Sequence, residues 1–283
     1  MWEGNVIPGK SVRATARLAS ALAVSFKPTC AALSSRRPCF VTGTPIRDIA
    51  AIDRLAARER LDLPSYARVV LVFGGSQATR TLNAAVTGAL PQLVEKLHVI
   101  HLTGTDGLAA AEAARGALPD PLRSRYRPAA FLGEGLLDAL AAADLVVGRA
   151  GSSTLAETTA FGLPLVVVPY PYAGAHQRAN AAELVDGGAA LYIEDDAFDS
   201  AALIEAVGIL DDPARHAAMS AAARRLARPG GADAVVELLL ALAERRTLPS
   251  AEAVTALASG QGIGTRTGAA AGDASSSAPG AAR

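Results

Sequence analysis

Residues 144–180 have the sequence DLVVGRAGSSTLAETTAFGLPLVVVPYPYAGAHQRAN and contain two successive strand–turn–helix units. The apolar run at residues 145–147 leads into small residues around Gly151, which begin a predicted helix. A second apolar run, residues 165–168, leads through a turn into a helix that begins near His176. In a parallel α/β sheet both turns lie at the carboxyl edge, where ligands bind and helix starts offer N–H groups to phosphate. The two units therefore predict a nucleotide-sugar pocket.

The same alternation of apolar runs and helical patterns extends from residue 68 to residue 211. Six predicted strands lie near residues 69–73, 97–102, 129–132, 145–147, 165–168 and 189–193. Continuously apolar strands, as opposed to alternating ones, are typical of a parallel sheet that is buried on both faces. We therefore predict an α/β fold with a Rossmann-like, doubly wound parallel sheet.

Three segments of different character divide the chain. Residues 1–48 contain one predicted helix and two short strands, too little to close a core, and are predicted to be the remnant of a preceding domain with its linker. Residues 49–248 form the Rossmann-like domain. Residues 249–283 are rich in Ala, Gly, Ser and Thr and carry no aromatic residue, which predicts a disordered tail.

Charge is unevenly distributed along a chain that is neutral as a whole. Residues 1–47 hold seven basic residues and one acidic residue, a net charge of +6, which leaves −6 for the remainder. A basic segment of this kind can contact anionic lipid headgroups or phosphates, or can be an ordinary solvated surface. No nucleic-acid partner is predicted.

Cysteine content and hydropathy bear on the cellular compartment. Cys30 and Cys39 are the only cysteines and have no nearby histidines at metal-ligand spacing, so reduced thiols in a cytosolic protein are expected. No apolar run reaches the roughly 18 to 20 residues that cross a bilayer. The first residues also lack the features of a signal peptide. We expect a soluble or peripheral protein.

A glycine turn follows the first strand of the regular domain. Gly75 and Ser76 lie between that strand and a predicted helix, where glycine lets the backbone approach a phosphate and the helix start stabilises its charge. A plain tight turn, with Ser76 as the N-cap of the helix, explains the same residues.

Glu157 has two competing interpretations. Thr154 and Glu157 have the spacing of a capping box in the first turn of a helix. Alternatively, Glu157 accepts hydrogen bonds from a ribose diol, while Ser152 and Ser153 donate N–H and hydroxyl groups to a diphosphate.

Polar side chains also cluster at the second turn. His176, Gln177 and Asn180 lie within one helical turn and offer the neutral donors and acceptors that read sugar hydroxyls. Exposed helix-capping residues are the alternative. Arg47, which follows a Gly-Thr-Pro turn, is a cation that can neutralise a departing diphosphate, or an ordinary surface arginine.

Taken in chain order, these motifs resemble the MurG-type glycosyltransferases. The resemblance covers residues 3 to about 246. EGN at residues 3–5, together with PG at residues 8–9, is similar to the family's EQN-x-x-PG loop. VTGTPIR at residues 41–47 is similar to its VTGNPVR linker. Residues 72–77, with the downstream Asn83, are similar to the family's GGSQ loop. Residues 149–157 are similar to its R-[SA]-G-A-x-T-x-x-E turn. Residues 168–180 follow its VP-[YF] and Q-x-x-N pattern. The sequence departs from the family at Trp2 and Gly4, where His and Gln are usual.

The resemblance implies a two-domain GT-B fold that transfers N-acetylglucosamine from UDP-N-acetylglucosamine to an undecaprenyl-diphosphate-linked muramyl pentapeptide. It implies a peripheral protein on the cytoplasmic side of the membrane, with most of the acceptor domain upstream of these residues. Glu3 is the one candidate base, and no metal or cofactor is expected. By position, the implied donor-binding residues are Asn5, Arg47, Gly75, Ser76, Leu132, Gly133, Ser152, Ser153, Thr154, Leu155, Ala156, Glu157, His176, Gln177 and Asn180. Among these, the backbone near Leu132 and Gly133 would meet uracil.

Two alternatives stay open. Another GT-B enzyme acting on a UDP-sugar, such as an epimerase, would share the donor domain, although the VTGTPIR linker and the Gln177-to-Asn180 spacing favour the MurG type. A non-catalytic UDP-sugar-binding subunit would need a separate chain to supply the acceptor domain.

Overall fold

The computed structural model of the chain describes residues 1–74, 80–172 and 176–261. None of the helices in these residues is both long and apolar enough to cross a membrane. The elements, in chain order, are β1 (Trp2–Glu3), α1 (Lys10–Thr15), β2 (Leu22–Val24), α2 (Lys27–Leu33), β3 (Cys39–Val41), α3 (Arg54–Arg60), β4 (Val69–Phe73), α4 (Arg80–Lys96), β5 (His98–Leu102), α5 (Thr105–Ala117), α6 (Asp120–Arg123), β6 (Tyr126–Ala129), α7 (Gly135–Ala142), β7 (Leu145–Gly148), α8 (Ser152–Ala160), β8 (Leu165–Val167), α9 (His176–Asp186), β9 (Ala190–Tyr192), α10 (Ser200–Val207), α11 (Pro213–Leu226), α12 (Gly231–Ala243) and α13 (Ala251–Ala258).

The larger sheet confirms the predicted doubly wound fold. Its six strands are parallel and have the order β6-β5-β4-β7-β8-β9. The chain enters at the centre with β4, moves outward to β6 and returns to pair β7 with β4. The strand order therefore reverses between β4 and β7, and the crevice outside the carboxyl ends of these two strands is where such folds bind ligands.

Both faces of this sheet are buried, which explains the continuous apolar runs in its strands. Val70 and Val72 of β4 pack in one cluster with Leu82 of α4. The residues between them point to the opposite face, where Leu71 packs with Leu140 of α7. Because successive side chains of a strand alternate between faces, a strand that is covered on both sides is apolar at nearly every position.

Strand β6 lies three residues before its predicted position. We predicted residues 129–132, whereas the strand pairs with β5 from Tyr126 to Ala129. Tyr126 is fully buried and its hydroxyl is bonded to His101 of β5. This pairing between side chains selects the register, and residues 130–133 are left free to form a loop at the sheet edge.

His101 lies in a buried polar network behind that edge. Its Nδ1 atom is 2.8 Å from the Tyr126 hydroxyl, and its Nε2 atom is 3.0 Å from Asn83 Oδ1. The Asn83 amide donates to the Thr103 carbonyl at 2.9 Å, which fixes the orientation of that side chain. Burial lowers the pKa of His101 to about 4, so the imidazole is neutral at physiological pH.

The lowered pKa of His101 predicts a loss of stability in mild acid. Between pH 6.5 and about 4 the unfolded chain binds a proton at this residue and the folded chain does not. The free energy of unfolding should therefore fall as the pH falls through this window, by up to about 3 kcal/mol from His101. Denaturant unfolding at a series of pH values measures this slope. His101→Gln should flatten it, and identical slopes for both proteins would contradict the assignment.

The smaller sheet is covered by the end of the chain. Strands β1, β2 and β3 are parallel and in that order. Ala23 and Phe40 of this sheet pack with Leu238 of α12 and Val254 of α13. The prediction of a disordered segment from residue 249 onward is therefore wrong for α13. Its sequence has no strong helical pattern, and the helix is stabilised by apolar contact with a sheet that is distant in the sequence. Residues 262–283 of the predicted tail lie outside the described residues.

The cysteines are also paired, contrary to the expected reduced thiols. Cys30 in α2 and Cys39 at the start of β3 form a disulfide, with their Cα atoms 5.9 Å apart. The intervening turn passes through Ser34, which has a left-handed conformation and ends α2. The nine-residue spacing alone did not predict the disulfide, because it does not show that the turn brings the two cysteines together.

Candidate functional site

A cavity of about 340 Å³ opens at the carboxyl edge of the larger sheet, beside β4 and β5. The loop after β6 forms one wall, in which Phe131 has 61% of its surface exposed. Gly133 in the same loop has φ +54°, a left-handed conformation that favours glycine. The lining residues are Arg47, Phe73, Gly74, Leu102, Gly104, Ala130, Phe131, Leu132, Gly133 and Leu136.

Arg47 and Glu157 meet at the rim of this cavity. Arg47 Nε and Nη2 donate to Glu157 Oε1 at 3.2 and 3.0 Å, and Arg47 Nη1 donates to the Gly133 carbonyl at 3.3 Å. The arginine side chain is 41% exposed and the glutamate side chain 12%. One cation therefore connects the linker, helix α8 and the loop after β6, three segments that are far apart in the sequence.

The capping-box interpretation of Glu157 is wrong. Helix α8 begins at Ser152 with Gly151 as its N-cap, and no side chain caps it. Glu157 lies in the second turn, not the first, and pairs with Arg47. The first-turn residues Ser152 and Ser153 present the N–H groups of a helix start.

The remaining predicted residues of α8 differ in what they can offer. Thr154 and Ala156 are partly exposed, whereas Leu155 is buried in the core with 1% of its surface exposed. Leu155 as a whole therefore presents almost no surface to a ligand. Gly75 and Ser76, the two predicted residues of the turn after β4, lie outside the described residues.

Gln177 joins the two predicted ligand turns, residues 149–151 after β7 and residues 168–172 after β8. Its Oε1 atom accepts from the Ala150 N–H at 3.2 Å and from the Tyr170 N–H at 2.8 Å. Ala150 follows β7, and Tyr170 follows β8. The side-chain carbonyl is therefore occupied by the protein, and the amide NH₂ is the group that a sugar hydroxyl could meet.

Asn180 and His176 connect α9 to the loop after β1. Asn180 is fully buried; its Nδ2 atom donates to Asn5 Oδ1 at 3.0 Å and to the Ala150 carbonyl at 3.1 Å, and its Oδ1 atom accepts from the Val6 N–H at 2.9 Å. His176 Nδ1 lies 2.7 Å from the Ile7 carbonyl. These residues are not exposed caps of α9. They hold the first segment against the larger domain.

Glu3 has its carboxylate bound within its own loop. Its Oε1 atom accepts from the backbone and side-chain amides of Asn5 at 2.9 and 3.1 Å, and its Oε2 atom accepts from the Gly9 N–H at 3.0 Å. The residue is 6% exposed. This geometry organises the loop and gives no support to Glu3 as a base.

The two departures from the family motif, Trp2 and Gly4, belong to one packing arrangement. A Cβ atom at Gly4 would lie 2.7 Å from the Trp2 ring and 2.9 Å from Ser152 Oγ, closer than such contacts occur. The indole therefore fills the space that a side chain at position 4 would need. Its Nε1 atom donates to the Gly43 carbonyl at 3.2 Å.

A buried ion pair that was not predicted from the sequence lies beneath the two predicted ligand turns. Arg149 directly follows β7, is 3% exposed and pairs with Asp195, which follows β9. An arginine after a fully apolar strand is a signal that could have been used, because a buried cation requires a partner. Its partner is 46 residues away, and no local pattern identifies it.

Comparison with known proteins gives consistent matches over most of the chain. Residues 69–236 match the family model described as the glycosyltransferase family 28 C-terminal domain. A UDP-N-acetylglucosamine--N-acetylmuramyl-(pentapeptide) pyrophosphoryl-undecaprenol N-acetylglucosamine transferase of Desulforudis audaxviator is 36% identical, over 87% of this chain and 67% of that protein. The protein of the same name from Mycobacterium tuberculosis is 41% identical, over 74% of this chain and 52% of that protein.

Among solved structures, the chain is similar to the MurG of Acinetobacter baumannii. The TM-score is 0.67 with 26% identity, covering 84% of this chain and 65% of that one. The chain spans about two thirds of the length of several curated relatives that it matches.

Proposed function

The chain belongs to the MurG-type glycosyltransferases of family 28, and on that premise we propose that it transfers N-acetylglucosamine from UDP-N-acetylglucosamine to a lipid-linked muramyl pentapeptide in peptidoglycan synthesis. The observation that carries the proposal is the junction of Arg47, Glu157 and the Gly133 carbonyl. It lies at the edge where the strand order reverses, beside a cavity of about 340 Å³. Doubly wound folds bind nucleotides at this edge.

In this proposal the cavity holds the uracil base. The exposed ring of Phe131 offers an apolar face on which a planar base can stack. The backbone of Leu132 and Gly133 offers N–H and carbonyl groups for the polar edge of the base. Both features lie in the loop that follows β6.

The ribose and the diphosphate then lie toward α8. In this proposal Glu157 accepts from the ribose hydroxyls, and Arg47, which pairs with Glu157 in this structure, donates to the diphosphate. The N–H groups at the start of α8, from Ser152 to Thr154, favour negative charge. Gly75 and Ser76 stay predictions for the same diphosphate. The amide NH₂ of Gln177 donates to a hydroxyl of the sugar.

The proposed reaction is a displacement at the anomeric carbon with inversion. The acceptor hydroxyl oxygen forms a bond to that carbon while the bond to the diphosphate breaks, and UDP leaves with the electron pair. The proton of the hydroxyl passes to a base. Arg47 and the start of α8 stabilise the charge that develops on UDP. The loop bonds of Glu3 support a structural role, so we assign the base to no residue of this chain.

We also propose that the acceptor is undecaprenyl-diphosphate-linked and that the protein works as a peripheral protein on the cytoplasmic side of the membrane. The names of the relatives support the acceptor. Six cations of the first segment are exposed, which supports contact with anionic headgroups. They are Lys10, Arg13, Arg17, Lys27, Arg36 and Arg37.

A second candidate is a UDP-sugar-binding subunit that needs a separate chain for the acceptor domain. The observation that favours it is that Glu3, the one candidate base, has both carboxylate oxygens hydrogen-bonded within its own loop. Calorimetry with UDP-N-acetylglucosamine tests the binding that both candidates share. Product formation from a lipid-linked acceptor by this chain alone would then exclude the second candidate.

Glu157→Ala tests the donor site directly. We expect UDP to bind more weakly by about 1 to 3 kcal/mol, roughly a 5- to 150-fold rise in Kd, because a charge-assisted hydrogen bond to ribose is lost. Titration calorimetry measures Kd, and thermal unfolding measures stability in the same samples.

The matched control is Glu112→Ala, which removes an exposed carboxylate from α5 that pairs with Arg115 at 3.6 Å. Its Kd should equal that of the unaltered protein. If Glu157→Ala lowered the melting temperature and left the Kd unchanged, Glu157 would only anchor Arg47.

A further inference from the structure

Asp195 lies at the centre of the buried ion pair beneath the two ligand turns. Its Oδ1 atom pairs with Arg149 Nη1, and the side chains are 19% and 4% exposed. Arg149 directly precedes the turn that begins α8. The same Nη1 atom donates to the Val168 carbonyl at 3.0 Å, at the end of β8. The pair therefore connects β7 to β8 and to the turn after β9.

The second oxygen of Asp195 reaches a third ligand-binding element. Thr81 Oγ1, in the first turn of α4, donates to Asp195 Oδ2 at 3.1 Å. Helix α4 follows β4 and the predicted glycine turn. A single carboxylate thus holds the start of α4 and, through Arg149, the ends of β7 and β8. These are the elements on both sides of the point where the strand order reverses.

The network around Asp195 and Arg149 also includes an aromatic ring and an amide side chain, which an isolated ion pair lacks. The Arg149 guanidinium also lies 5.5 Å from the centre of the Tyr170 ring, directly after β8. Gln177 bridges the same two turns through Ala150 and Tyr170. The β7 and β8 turns are therefore joined twice, by Arg149 and by Gln177, and Asp195 is the acidic partner of the arginine in the first of these links.

We propose that Asp195 is a positioning residue for the UDP-sugar. It fixes Arg149 and Thr81, and thereby the spacing between the start of α4, the start of α8 and the turn after β8. It needs no contact with the ligand. The inference rests on the proposed donor site and adds a residue that lies outside every motif of the sequence analysis. Catalytic and binding groups must be held within about 0.5 Å of their productive geometry, and a misplacement of about 1 Å can cost roughly a hundredfold in rate.

Asp195→Asn in the full chain tests this proposal, since the amide keeps the shape and removes the charge. We expect the Kd for UDP-N-acetylglucosamine to rise roughly tenfold or more, measured by calorimetry at a temperature where the variant is folded. Glu194→Gln is the matched control, because it removes the neighbouring charge, whose partner Arg178 is on the surface. Its Kd should not change.

Two further variants separate positioning from stability. Asp144→Asn removes another carboxylate that pairs with arginines, at the opposite, amino end of β7. It should lower the melting temperature and leave the Kd unchanged. Thr81→Val keeps the Asp195–Arg149 pair and removes only the hydrogen bond from α4 to Asp195. The variant should fold normally and raise the Kd a few-fold.

The proposal is overturned if Asp195→Asn and Thr81→Val both bind as the unaltered chain does, whatever their stability. It is also overturned if Asp144→Asn raises the Kd as much as Asp195→Asn, because the effect would then follow stability. Failure of the unaltered chain to bind UDP-N-acetylglucosamine or UDP would instead contradict the proposed function.

Discussion

Replacing Asp144 with alanine is expected to lower the free energy of unfolding by about 3 to 5 kcal/mol. Asp144 Oδ2 pairs with Arg58 Nη2 at 3.0 Å and accepts from the Val69 N–H at 2.7 Å, and its Oδ1 pairs with Arg54. Arg58 is 3% exposed, and burial lowers its pKa. Without the carboxylate, a buried guanidinium loses its counter-ion, and a strand N–H loses its acceptor. Urea unfolding measures the change.

The chain contains a matched control for this prediction. Asp138 of α7 pairs at 2.6 Å with Arg60 of α3, the helix that also carries Arg58, but the two side chains are 24% and 53% exposed. Because solvent screens this pair, Asp138→Ala should cost less than about 1 kcal/mol. Equal losses for the two variants would show that burial of Arg58 does not set the cost.

Asn180→Ala is expected to destabilise the protein by about 2 to 4 kcal/mol and to loosen the first segment. The side chain makes three hydrogen bonds, two of them to the loop after β1 at Asn5 and Val6. Alanine leaves these partly buried groups, and the buried Ala150 carbonyl, without this partner, and each carries its own desolvation cost. Hydrogen exchange should show faster exchange in β1, β2 and β3 than in the larger sheet.

Arg178→Ala is the control for this second prediction. It lies on the same helix, is 55% exposed and pairs with Glu194 at the surface, so its effect should stay within about 0.5 kcal/mol. If Asn180→Ala accelerated exchange equally in both sheets, the loss would be global, and Asn180 would not be a specific link between the two segments.

The doubly wound sheet was predictable because its signal is local. Parallel strands that are buried on both faces are nearly continuous apolar runs, and small residues follow them where the chain turns into a helix. Five of the six strands of the larger sheet lie within one residue of their predicted bounds at each end. The exception is β6, whose register depends on the contact between Tyr126 and His101.

Predictions failed where a distant partner decides the structure. Glu157 has capping-box spacing, but helix α8 starts at Ser152 and Arg47 occupies the carboxylate. Helix α13 forms in a segment of weak pattern, because β3 and α12 cover its apolar face. The disulfide between Cys30 and Cys39 requires the turn at Ser34.

The sequence by itself therefore determined the fold class, the family resemblance and the edge of the sheet where a donor nucleotide would bind. Only the tertiary structure decided which side chains meet there. Arg47 reaches Glu157 across 110 residues, Asn180 reaches Asn5 across 175, and Asp195 pairs with Arg149 across 46. Apolar periodicity and turn chemistry act over a few residues and can be read locally. A hydrogen bond between distant residues depends on how whole elements pack, and no spacing in the sequence encodes that distance.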